Sequence, residues 1–128
     1  MKEDIVNPKR YTQNKLQCWD FWIKAGLDPL IASAVKYVWR YKYKNGIDDL
    51  MKAKVFLEKA LSEVSNSNDI FSSERGYILN PSEVEDFTDK QFLFVHLSTK
   101  TTVKSQYAYY CDLMLDLLND VIEEEKEK

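Results

Sequence analysis

The chain has 128 residues, 45% of them hydrophobic and 30% charged, a composition that suits one ordinary domain and excludes wholesale disorder or a collagen-like repeat. A formal charge of -3 argues against a protein that coats duplex nucleic acid, because neutralising phosphates takes Lys and Arg in excess. Only 3 Gly and 3 Pro are present, too few for the turns of a sandwich or barrel, so helices are expected.

Met1-Lys2-Glu3-Asp4 opens no apolar leader, and no apolar run approaches the roughly 20 residues of a membrane span. A cytoplasmic location without membrane contact is expected. After Val6-Asn7-Pro8, which reads as a turn or extended segment, Lys9, Arg10 and Tyr11 place two cations beside an aromatic ring. Residues Asn14 to Ala25 give the first helical pattern, with Leu16, Trp19 and Ile23 on one face, Trp22 widening it, and Gly26 as a left-handed stop.

The second helix starts at Asp28-Pro29 and continues to about Tyr43, where Asn45-Gly46 ends it. The third runs from Ile47 to about Val64, with Leu50, Ala53, Leu57, Leu61 and Val64 at helical spacing. These three are expected to pack as one unit. Residues 65–80, rich in Ser and Asn at their start, read as a loop, and Asn80-Pro81-Ser82-Glu83 as a helix start. Gln91 to Leu97 fits helix or buried strand, with helix favoured.

The last pattern is the longest. Val103, Tyr107, Tyr110, Met114, Leu117 and Val121 form one apolar row, and Ala108, Cys111, Leu115, Leu118 and Ile122 a second beside it. Two rows exceed what a surface helix needs, so this helix is either the centre of the bundle or half of a subunit interface, and a homo-oligomer is expected. The expected fold is all-α: a compact bundle of four to five helices in a single domain, 1–128, with residues 6–64 as its first unit, 65–80 as loop and 81–128 as its C-terminal part.

Chemistry concentrates on the second helix. Ile31, Ala34, Val35 and Val38 define a buried face, while Lys36, Arg40 and Lys44 recur at i, i+4, i+8 on the far side, flanked by Tyr37 and Tyr43. Cations beside rings suit a phosphate carrying a base, because Arg grips phosphate oxygens bidentately while a ring stacks. A solvated basic face gives the same pattern. Lys9, Arg10 and Tyr11 complete a cationic pocket if the N-terminal arm folds over this helix. Nucleotide or phosphate binding is therefore assigned to Lys36, Arg40, Lys44, Tyr37, Tyr43, Lys9, Arg10 and Tyr11.

Other catalytic signatures are missing. There is neither a GxxxxGK[ST] phosphate loop nor a GxGxxG. His96, the single histidine, reads as a packed, hydrogen-bonded residue, and Cys18 and Cys111 read as buried thiols without metal-ligand spacing. Asp112, Asp116 and Asp120, with Glu83 and Asp86, offer carboxylates for Mg but lack a matching Glu-x-x-Glu, so a solvated face is favoured; no cofactor is certain, and Mg stays open.

The residues Asn7-Pro8, Tyr11, Ala34-Val35-Lys36-Tyr37-Val38-Trp39-Arg40-Tyr41, Lys44-Asn45-Gly46, Asp48-Asp49-Leu50 and Lys52-Ala53 resemble, over Val6 to Glu63, the SaV-like domain of tailed phages, a family that includes the early nucleotide kinase of phage T7. Where that family carries Asn-His-Pro-x-His-Tyr, this chain has Asn7-Pro8-Lys9-Arg10-Tyr11, without either histidine. The resemblance implies a phage-encoded, nucleotide-handling helical protein in the cytoplasm of an infected bacterial host cell. Three functions compete: an unconventional nucleoside monophosphate kinase without a P-loop, a sponge that sequesters a host defence signalling nucleotide, and an inhibitor that binds a host enzyme through the last helix.

Overall fold

A computed structural model describes residues 16–66 and 76–128, and among these the fold is all-α, with five α-helices and no strand. Lys9, Arg10 and Tyr11 lie outside the described residues. Helix α1 (Cys18–Ala25) stops at Gly26, whose φ of 69° is the left-handed conformation that glycine adopts cheaply. Helix α2 (Pro29–Arg40) is capped by Asp28, which accepts from the Leu30 and Ile31 amides at 2.9 and 3.0 Å. A 3-10 turn (Tyr41–Tyr43) and the Asn45-Gly46 corner reverse the chain into α3 (Ile47–Asn66).

The run Gln91 to Leu97 is helical, within α4 (Asp89–Ser98). Its start is fixed by a reciprocal cap in which the Gln91 amide donates to the Thr88 hydroxyl and the Thr88 amide donates to Gln91 Oε1. Asn80-Pro81-Ser82-Glu83, read from sequence as a helix start, makes a cap and one 3-10 turn (Pro81–Glu83) only, because the backbone leaves helical geometry at Val84. Two further 3-10 turns (Thr99–Thr102 and Lys104–Gln106) lead into α5 (Tyr107–Lys126), which therefore begins four residues after the expected Val103.

Helices α2 and α3 form an antiparallel hairpin. Helix α5 lies along α3 and α4, α4 bridges α2 and α5, and α1 docks on α2. All five contribute to one core. Gln91 reaches across the core and donates from Nε2 to the Val38 carbonyl at 3.0 Å, satisfying a buried amide where α4 crosses α2.

Two expectations about apolar faces change. On α1 the buried residues are Cys18, Phe21 and Ala25, whereas Trp19 and Ile23 are 41% and 68% exposed. Phe21 sets that rotation, its ring lying 5.6 Å from Trp39 and 5.7 Å from Tyr77. On α5, Tyr107, Cys111, Met114, Leu118, Val121 and Ile122 are buried within the chain, and Leu115 and Leu117 are half-buried against the same core. Val103, Ala108 and Tyr110 stay partly exposed, while most of the two rows is taken up by α3 and α4. They give no argument for a subunit interface.

Candidate anion-binding site

The α2–α3 hairpin gathers the polar residues of interest around one ring. Tyr37 is half-buried on α2 and lies nearly parallel to Phe56 of α3, with centroids 5.8 Å apart and planes inclined by 17°. Three cations surround it: the Arg40 guanidinium carbon at 4.7 Å from the ring centroid, and the Lys36 and Lys52 ammoniums each at 5.6 Å. These distances are within the range where a cation is attracted to an aromatic face.

Arg40 departs most from its expected place. Its side chain is 7% exposed and faces Asp49, which is wholly buried; Arg40 Nε donates to Asp49 Oδ2 at 3.3 Å and Nη2 to Oδ1 at 3.1 Å. The Asn45 amide adds a third bond to Asp49 Oδ2 at 3.2 Å. One carboxylate thus ties the end of α2, the Asn45-Gly46 corner and the first turn of α3 together. The expected Lys36-Arg40-Lys44 stripe is broken because α2 ends at Arg40, and Lys44 has φ -133° and ψ -92°, outside helical geometry.

Of the sequence-derived site residues, the structure brings together Lys36, Tyr37 and Arg40. Lys44 is exposed beyond the end of α2. Tyr43 belongs to another contact: its hydroxyl donates to the Asp86 carboxylate, and Lys42 donates to the Asp86 carbonyl. That carboxylate pushes the Tyr43 phenol up to about 12, so it stays a donor at neutral pH. Lys52 and Phe56 were missed as site residues. Their signal lay in the short Lys44-Asn45-Gly46 reversal, which forces α3 back along α2 and lays its first turns beside Tyr37.

The electrostatics follow from a count. Asp49 balances one of the three cations; among the described residues, no carboxylate comes within ion-pair distance of Lys36 or Lys52. Like charges 4 Å apart repel by about 1 kcal/mol in bulk water and about 4 kcal/mol near a protein surface, and an anion placed between them relieves the repulsion. Elsewhere, an open groove of about 470 Å³ below α4 is walled by Val84, Phe87 and Phe92 with Glu85 and Asp89 among its lining and no cation, a charge pattern that repels phosphate.

His96 Nδ1 is buried without a hydrogen-bond partner among the described residues, unlike the hydrogen-bonded histidine expected from sequence. His96 is half-buried, its ring parallel to Phe92 at 6.1 Å, and burial with Lys100 nearby lowers its pKa. Burial pushes the Cys111 thiol up to about 12 and the Cys18 thiol higher still, so neither is a nucleophile at neutral pH. Asp112, Asp116 and Asp120 are exposed along α5, and no cluster of three metal-ligating side chains occurs among the described residues. No helix there is long and apolar enough to cross a membrane.

Residues 5–58 match DUF3310, a family described as a protein of unknown function. The matched span takes in α1, α2 and the first part of α3, and so includes Lys36, Tyr37, Arg40, Asp49, Lys52 and Phe56. No curated protein and no solved structure matches the chain.

Proposed function

We propose that the chain is a phage-encoded nucleotide-binding protein that acts as an unconventional nucleoside monophosphate kinase without a P-loop. The observation that carries this reading is the pair of ammoniums, Lys36 and Lys52, beside the Tyr37 ring, neither within ion-pair distance of a carboxylate among the described residues. Ammoniums suit phosphate oxygens, and an aromatic ring offers a surface on which a base can stack. The resemblance of the same segment to a phage family with a kinase member supports turnover. Phosphoryl transfer needs no covalent nucleophile, only positioning and charge stabilisation, which cations can supply.

The test is incubation of the purified protein with a mixed pool of nucleotides and Mg, followed by chromatography of free and bound fractions. New nucleoside diphosphates are expected. Nucleotides recovered unchanged, and only after denaturation, would replace the kinase with a sponge for a signalling nucleotide; no bound nucleotide at all would end the nucleotide reading. Inhibition of a host enzyme through α5 loses its support, since the apolar rows that suggested it lie in the core.

A further inference from the structure

We infer that Lys52 of α3, with Lys36 of α2, forms the phosphate clamp, the anion seating beside Tyr37 so that one ligand bridges both helices of the hairpin. The inference deepens the reading above and rests on it only for the nucleoside part of the ligand. Both ammoniums lie 5.6 Å from the same centroid, so they are at most about twice that apart, on side chains flexible enough to converge. Lys52 is exposed and Lys36 half-buried, so both heads remain reachable from solvent. Arg40, which sequence reasoning ranks first for phosphate, has its Nε and Nη2 directed at a buried carboxylate.

The charge count fixes the ligand's chemistry. Two ammoniums without a carboxylate partner among the described residues match a terminal phosphate, which carries about -1.5 to -2 at pH 7. The ring beside them, already backed by Phe56, is held in place before the ligand arrives, so little ordering is needed at that side chain.

Calorimetric titration of the unmodified protein, Lys52→Ala, Lys52→Arg and Lys59→Ala with inorganic phosphate, the four nucleoside 5′-monophosphates and the corresponding nucleosides tests this. Lys59 is an exposed lysine of the same helix paired with Glu63, so its removal changes net charge equally without touching the clamp. Lys52→Ala should weaken phosphate and monophosphate binding by about tenfold to a hundredfold, the range for a charge-assisted hydrogen bond. Lys52→Arg should restore most of it, and Lys59→Ala should stay within about twofold. Equal affinity in Lys52→Ala and Lys59→Ala overturns the clamp even if nucleotides bind. Lys52-dependent binding of inorganic phosphate with no gain from the nucleoside upholds the clamp and refutes the nucleotide reading. Absence of all binding to the unmodified protein refutes both.

Discussion

Removing Arg40 should destabilise the fold severely. In Arg40→Met the Asp49 carboxylate, wholly buried, keeps only the Asn45 amide as a described partner. Breaking a buried pair from one side costs about 3–5 kcal/mol, because a desolvated charge is left uncompensated. Against a total stability of about 5–15 kcal/mol this is a large fraction. With a urea slope near 2 kcal/mol/M for a chain of this size, the unfolding midpoint should fall by about 2 M. The double variant Arg40→Met/Asp49→Leu removes both charges together and should be less destabilised than either single one. Urea titrations followed by circular dichroism at 222 nm on the four proteins of this cycle give the comparison. A midpoint shift under about 0.5 M in Arg40→Met would refute the reasoning and return Arg40 to the solvent-facing stripe.

Leu118 is 1% exposed, so Leu118→Ala should cost about 2–5 kcal/mol in urea unfolding, and Leu118→Asp should unfold the chain; a Leu118→Asp variant that stays folded while changing oligomeric state would show that α5 is an interface after all. His96 has a pKa below 6.5 in the fold, so the unfolded chain takes up a proton first, and stability present above about pH 6.5 is lost as the pH falls through the values below it. Thermal unfolding of His96→Gln should show a flatter dependence between pH 7 and 5 than the unmodified protein, and parallel curves would contradict this. Gly46 has φ 54° with open space around its missing Cβ, so Gly46→Ala should cost about 1–2 kcal/mol through backbone strain alone, with Gly46→Asn costing less, both read from urea midpoints.

Much of the fold was legible because its signals are local. Asp28-Pro29 and Gly26 mark helix ends through φ and hydrogen-bonding requirements that depend on few neighbours, and they lie where the pattern put them, whereas α2 stops at Arg40, short of the expected end at Asn45-Gly46. The α1 face was misread because a short helix with Trp19, Trp22 and Ile23 is apolar nearly all round, and its orientation is decided by how Phe21 meets Trp39 and Tyr77, which are distant in sequence. Asn80-Pro81-Ser82-Glu83 carries a correct capping signal, yet the helix it would start stops at Val84, and the Thr88–Gln91 cap begins the real one.

The site shows the same division. Lys36 and Tyr37 are legible as a candidate pair because they are neighbours on one helix. Lys52 and Phe56 were not, since their place beside Tyr37 depends on the register between two helices. Arg40 was misjudged because a helical wheel gives direction relative to one axis, and a side chain on the flank of α2 becomes buried once α3 presents a carboxylate to it. Lys44 was counted in a stripe whose helix ends four residues earlier.

Nucleotide binding on the α2–α3 hairpin is the proposal on which the kinase reading depends. It is tested most directly by titrating a 15N-labelled sample with a nucleoside 5′-monophosphate and mapping the amide shift changes onto the fold. The largest changes are expected at Lys36 to Tyr41 and from Asp48 to Phe56, with α5 little affected. Changes confined to the groove near Val84, Phe87 and Phe92, or saturable binding that leaves both hairpin segments unmoved, would contradict it.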